Sequence, residues 1–275
     1  MTRRLGVLGW PVAHSRSPAM HSAALAALGM HEWSYQRLPV PPALFEQTTR
    51  ALGQAGFAGA NVTIPHKHAA LALADRASDA ARAIGAANTL TFAADGEISA
   101  ENTDAPGLIA ALEDAPRGGS ALVLGAGGSA RAVVWALVQA GAREVSVWNR
   151  TPERAEQLAR ELGARAVKRP VAAELLVNCT SLGLELSATE RDTLNQLGLT
   201  FDQVGEYSYV ADLVYREGTT PLLAVAHKHG VRTLDGLEIL VAQGALSFEL
   251  WTGRQPPLEV MRAAARGEHA LPPER

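Results

Sequence analysis

The residues Gly125-Ala126-Gly127-Gly128-Ser129-Ala130 follow an apolar run, Ala121 to Leu124, and precede a helix-period stretch that ends at Gly141. A second apolar run, Val145 to Trp148, comes next. Strand, glycine turn, helix and strand in that order can bind the pyrophosphate of a dinucleotide. The helix N-terminus offers unpaired N–H groups and partial positive charge to the phosphates. Gly125 and Gly127 let the backbone approach without a Cβ in the way, and Ala130 stands where the pattern tolerates loss of its third glycine. A glycine turn alone would fit many strand–helix junctions. The flanking runs make Gly125, Ala126, Gly127, Gly128 and Ser129 cofactor-binding candidates.

The end of the second apolar run distinguishes one cofactor from another. An NAD site places Asp or Glu there, about 20 residues on, against the ribose 2′-hydroxyl. This chain has Asn149-Arg150-Thr151, with Arg154 close behind. Thr151-Pro152 reads as an N-cap and first helical residue, which puts Arg154 in the first turn. Two guanidinium groups and a hydroxyl near a helix start suit a phosphate, so the cofactor read here is NADP. Ordinary surface arginines would satisfy the same two positions.

Three further polar stretches stand beside strand ends: Gly9 to Pro18, Asn61 to Lys67, and Gly85 to Thr89 with Asn102 to Gly107. In open α/β sheets, ligands sit outside the carboxyl ends of strands, so these groups are expected to converge on one cleft.

The elements that must position them alternate. Residues 5–9, 56–63 and 86–92 read as strands, with Ala93-Ala94-Asp95-Gly96 as a turn. Ser17 is expected at an N-cap with Pro18 at the first helical position and Gly29 past the end. Helical segments are also expected from Pro42 toward Gly53, after Pro65, and from about Pro106. Later strands fall at 175–178, 210–214 and 231–234, and a long helix at 236–251. The expected fold is α/β, with two domains and a largely parallel sheet. One domain is expected at 1–104 with 238–275, for substrate, and a Rossmann-like cofactor domain at 105–237.

Bulk composition bounds the function. The chain has 275 residues, 47% hydrophobic and 19% charged, which supports a sizeable core. A net charge of −3 argues against a nucleic-acid or anionic-membrane surface. The single cysteine, Cys179, cannot form an internal disulfide and reads as core; no Cys/His cluster has metal-ligand spacing. No signal-peptide pattern or membrane span is read, so a cytoplasmic location is expected. Oligomeric state stays open, a homodimer included.

Taken in order, HSRSP, NVTIPHK, GAANT, NTDAPG, GAGGSA, NRT, NCTSLG, DLVY and DGLEILVAQGA resemble the shikimate dehydrogenase family over nearly the whole chain. The resemblance implies two α/β domains with a cleft between them and NADPH-dependent, reversible reduction of 3-dehydroshikimate to shikimate. It implies Lys67 and Asp104 as the catalytic pair in acid–base roles, both also contacting the substrate, with Asp104 binding a substrate hydroxyl and pairing with the lysine. A lysine ammonium can stabilise an alkoxide and donate its proton. Without the resemblance, a surface lysine and a helix-capping aspartate would account for both. Ser15 and Ser17, at a helix start, are implied contacts for the substrate carboxylate. Thr63, Asn88, Tyr215 and Gln243 carry over as further substrate contacts, and Asn61 either assists or serves its own turn.

For the cofactor, Leu213 and Gly236 match positions near the nicotinamide, and Asp79 matches another contact. His14 and His66 read as loop-orienting residues, Trp148 and Trp251 as packing. Glu217 stands where the family commonly has proline, which leaves the path of its loop open. The neighbouring readings are an NAD-preferring quinate/shikimate dehydrogenase and a non-catalytic ligand sensor.

Overall fold

The computed structural model describes residues 3–112 and 117–268. The chain opens with β1 (Arg3–Gly9), α1 (Ser17–Ala27), β2 (Trp33–Pro39), α2 (Phe45–Leu52), β3 (Phe57–Val62) and α3 (Lys67–Leu73). Then come β4 (Arg76–Ala77), α4 (Asp79–Ile84), β5 (Thr89–Phe92), β6 (Ile98–Glu101) and α5 (Asp104–Ala111). The middle of the chain supplies β7 (Ser120–Leu124), α6 (Gly128–Gln139), β8 (Glu144–Trp148), α7 (Pro152–Leu162), β9 (Arg165–Ala166) and β10 (Leu175–Asn178). After it follow α8 (Glu190–Leu197), α9 (Phe201–Val204), β11 (Tyr209–Asp212), α10 (Pro221–Lys228) and β12 (Arg232–Leu234). Two helices, α11 (Gly236–Thr252) and α12 (Leu258–Arg266), end it.

Two compact units result. One takes in the chain through Gly107 together with the segment from Leu240; the other is Leu108–Ile239. Residues 1–2, 113–116 and 269–275, which fall within the expected domain ranges, lie outside the described residues.

The second unit carries an all-parallel sheet, ordered β12-β11-β10-β7-β8-β9. Its central strands are short apolar runs because helices cover both faces. All four residues of β10 are buried, as are Ala121 to Leu124 of β7. Leu122, Leu124, Leu176, Val210 and Leu222 pack into one core.

The first unit qualifies the expectation of a largely parallel sheet, because two of its pairs are antiparallel. Its order is β2-β1-β3-β5-β6-β4, and β5 runs antiparallel to both β3 and β6. For the β5–β6 pair the reason is the Ala93–Gly96 turn, closed by Gly96 N–H to Ala93 C=O at 3.1 Å. A connection that short joins only antiparallel strands. At the other edge β2 alternates, Trp33 and Tyr35 inward and Ser34 and Gln36 outward, as a half-exposed edge strand must. Leu8, Phe45, Phe57, Val62 and Leu90 form the core of this unit. Among the described residues, no helix is long and apolar enough to cross a membrane.

Candidate active site

Lys67 is the first residue of α3, just past the end of β3. Its Nζ donates to Asp104 Oδ2 at 2.6 Å, with the two side chains 11% and 17% exposed. That is sheltered enough to strengthen the pairing and open enough to meet a ligand. Asp104 begins α5 but does not cap it. Asn102 Oδ1 takes the Ala105 N–H instead, at 3.2 Å. The Asp104 carboxylate is thereby left to Lys67 and to Asn88, whose Nδ2 donates to Oδ1 at 2.8 Å.

Asn88 sits just before β5 and is 2% exposed. Its Oδ1 accepts the Thr103 N–H at 2.7 Å, which fixes the amide orientation. Its Nδ2 also lies 3.1 Å from Gln243 Oε1 and 2.9 Å from Thr103 Oγ1, so two hydrogens are shared among several acceptors. Gln243 arrives on α11. Gly107 makes that approach possible: a Cβ there would lie 2.7 Å from Gln243 Cα. The structure thus brings Lys67, Asn88, Asp104 and Gln243 together. It adds Thr103, the middle residue of Asn102-Thr103-Asp104, whose hydroxyl accepts from Asn88 Nδ2 and whose link to Gln243 no local pattern signals.

Ser15, Ser17 and Thr63 lie at the ends of β1 and β3. Trp10 N–H bonds Ile64 C=O at 3.0 Å, tying the two loops together. Gly9 lets them close, since a Cβ there would meet the Thr63 methyl at 2.5 Å. The expected cap at Ser17 is corrected. Arg16 is the N-cap residue and makes no side-chain cap; Ser17 is the first helical residue. Ser15 Oγ accepts the Ser17 N–H at 3.3 Å, and Arg37 Nη2 holds the Ser15 carbonyl at 2.9 Å. The helix start is therefore served from two residues upstream, which spares the Ser17 hydroxyl.

Asn61 serves the core. Its Oδ1 accepts from Tyr35 Oη at 2.8 Å, and its Nδ2 reaches Ser247 Oγ at 3.0 Å and Thr89 Oγ1 at 3.2 Å. His66 Nε2 donates to Val40 C=O at 2.7 Å and stacks on Phe45 at 4.3 Å. Burial holds its pKa below the ordinary value, so the ring orients the turn in its neutral form. His14 is exposed on the Trp10–Arg16 loop. Trp251 packs against Gly59 and donates its indole N–H to Leu90 C=O at 3.0 Å. Trp148 packs on Gly198.

In the second unit, Gly125 has φ +110, where an L side chain would be strained. A Cβ there would also press on Cys179 and Thr180 at 3.3 Å. Cys179 itself is half-buried one residue past β10, not in the core. Gly127 caps α6, and the space its Cβ would enter is open. Ala126, Gly128 and Ser129 complete this turn. Gly125 N–H bonds Trp148 C=O at 2.8 Å, so the glycine turn and the Asn149 strand end are neighbours.

Asn149 Nδ2 donates to Thr151 C=O at 2.9 Å. Thr151 is the N-cap of α7, its hydroxyl not used as a cap, and Arg150 and Arg154 are exposed beside it. An open backbone cradle with cations and a hydroxyl at the next helix start fits a dinucleotide carrying a third phosphate.

Leu213 and Gly236 also meet: a Cβ on Gly236 would lie 2.6 Å from the Leu213 carbonyl. Tyr215 is half-buried in the same loop. Beyond it, Arg216 bonds Glu185 C=O at 2.6 Å and Thr219 C=O at 3.3 Å, which sets the path around exposed Glu217. Asp79, in the first unit, is fully exposed and paired with Arg82 at 2.6 Å.

Known proteins resemble this chain in sequence and fold. A model of the shikimate dehydrogenase substrate binding domain covers residues 7–90. A shikimate / quinate 5-dehydrogenase model covers 111–192, and a shikimate 5′-dehydrogenase C-terminal domain covers 236–266. The chain is 45% identical to a shikimate dehydrogenase (NADP(+)) of Paracoccus denitrificans, over 92% of each chain. It is 46% identical to one of Thermus thermophilus, over 96% of this chain and 97% of that one. The crystal structure of a shikimate 5-dehydrogenase from another strain of Thermus thermophilus, in complex with NADP(H) and shikimate, is 44% identical with a TM-score of 0.85. The match covers 97% of this chain and 99% of that one.

Proposed function

We propose an activity from a plain premise: the chain belongs to the shikimate dehydrogenase family. It reduces 3-dehydroshikimate reversibly to shikimate with NADPH. The observation that carries this reading is the Lys67–Asp104 pair at 2.6 Å, held by Asn88 beside two linked, hydroxyl-bearing loops. A cation able to give a proton stands next to a carboxylate able to receive a hydroxyl.

When bound, NADPH supplies the hydride. Residues 125–129 hold its pyrophosphate, and Asn149, Arg150, Thr151 and Arg154 take its adenosine end with the 2′-phosphate. Leu213 and Gly236 flank the nicotinamide. Asp79 remains the least supported of the cofactor contacts, because Arg82 already engages its carboxylate.

Charge develops on the substrate's carbonyl oxygen. The Lys67 ammonium stabilises that charge and gives the oxygen a proton; in the reverse direction the amine takes it back. Asp104 holds the ammonium in place and accepts from a ring hydroxyl. Asn88 orients Asp104, so little must rearrange during the reaction. Ser15 and Ser17 bind the ring carboxylate, while Thr63, Tyr215 and Gln243 bind the remaining polar groups. The reaction is placed in the cytoplasm, where a chain with one cysteine needs no oxidising compartment.

NADPH oxidation measured with 3-dehydroshikimate and with 3-dehydroquinate tests this reading. Turnover of the first alone is expected. Equal turnover of both would move the chain to a quinate/shikimate dehydrogenase. Turnover of neither, with ligand still bound, would make it a sensor.

A further inference from the structure

Asp212 is a buried carboxylate that the proton chemistry does not use. It ends β11 opposite Asn178, which ends β10, and both are 0% exposed. Asp212 Oδ1 accepts from Asn178 Nδ2 at 2.8 Å and from the Val214 N–H at 3.0 Å. Its Oδ2 accepts from Thr220 Oγ1 at 2.7 Å. Burial pushes the carboxyl up to about 6, against the pull of these donors. A group so costly to bury is retained where its hydrogen bonds hold something in place.

What they hold are two loops. Asn178 Oδ1 accepts from the Thr180 N–H at 3.0 Å and Thr180 Oγ1 at 2.8 Å, shaping the turn that abuts Gly125. The Asn178 carbonyl accepts the Leu213 N–H at 3.0 Å. The Asp212 carboxylate itself folds the backbone at Val214, between Leu213 and Tyr215. Thr220, at the far end of that loop, also caps α10. One carboxylate therefore ties the turn that abuts Gly125, through Asn178, to the start and the end of the Leu213–Thr220 loop.

We propose that Asp212 is a positioning residue for the nicotinamide end of the site, acting through Leu213 and Tyr215. This rests on the function proposed above, in which those two residues meet nicotinamide and substrate. The effect falls mainly on their placement, because Asp212 bonds the Val214 N–H directly and reaches the Gly125 turn only through Asn178. An error of about 1 Å at such a point can cost up to about a hundredfold in rate.

The test is steady-state kinetics of shikimate oxidation for wild type, Asp212→Ala and Asp212→Asn, with NADP affinity measured separately. Asp212→Ala is expected to lower kcat at least about tenfold and to raise the KM for shikimate, with NADP affinity within about threefold. Asp212→Asn is expected to recover most of the loss. Its Oδ1 can serve Asn178 and Val214 while its amide donates to Thr220. Wild-type kcat and KM in a folded Asp212→Ala protein would overturn the proposal, even with a lowered melting temperature. Should that variant not fold, Thr220→Ala and Thr220→Ser replace it. Loss in the first and recovery in the second support the proposal; unchanged constants in the first overturn it. Absence of wild-type turnover would defeat the functional reading, and the proposal with it; undiminished turnover in the variants would defeat the proposal alone.

Discussion

In the first unit Lys67, Asp104, Asn88 and Gln243 already hold one another, while in the second Gly127, Arg150 and Arg154 stand open beside helix starts. Lys67, Asp104, Asn88 and Gln243 form a closed set of hydrogen bonds at 2.6–3.1 Å. Arg150 and Arg154, by contrast, are exposed beside the start of α7, and the space over Gly127 is open. The difference matches two tasks. Proton transfer needs groups fixed before the reaction, so that little reorganises during it. Phosphate binding needs donors and cations that a ligand can reach.

The comparison breaks first at Asp104. Asp104→Ala removes the partner of Lys67 and an acceptor of Asn88 at once. We expect kcat/KM for shikimate to fall about a thousandfold. A fall of less than about tenfold would mean that the closed set is structural only.

On the open side, Arg150→Asp is expected to shift the NADP/NAD preference by roughly tenfold to a hundredfold toward NAD, the worth of one charge-assisted contact. The ratio of kcat/KM values for the two cofactors reads it. An unchanged ratio would return Arg150 to the ordinary surface.

A smaller effect sharpens the contrast through stability. His21 of the first unit is fully buried, stacked on Tyr35 at 4.3 Å, with no hydrogen-bond partner at either ring nitrogen. Burial lowers its pKa from 6.5 to about 3. Below pH 6.5 the unfolded chain takes up a proton that the folded chain refuses. Stability therefore falls as pH drops below 6.5 toward about 3. His21→Phe is expected to flatten that acid limb in denaturant titrations. A limb of unchanged slope would remove His21 as its source.

Legibility in the sequence followed locality. The glycine turn, Thr151 as a cap and the apolar strands of the second unit are short-range patterns, and β7, β10 and β12 were readable within a residue or two. The Ala93–Gly96 turn was legible too, but not that it makes β6 a partner of β5 and the sheet mixed. Pairing joins residues distant in sequence, and no local pattern reports it. The same limit hid Asn88–Gln243 and Asp212–Asn178. Ser17 misled for a different reason: serine before proline suits an N-cap, but Ser15 reached the backbone N–H first. The family resemblance, not spacing, supplied the roles of Lys67 and Asp104.

The most direct measurement compares Lys67→Ala with wild type in two numbers, kcat for shikimate oxidation with NADP and the calorimetric Kd for shikimate. In the variant kcat is expected to be lower by about a thousandfold with Kd within about fivefold, because Lys67 moves the proton while its neighbours hold the ring. Near-normal turnover in the variant would contradict that role.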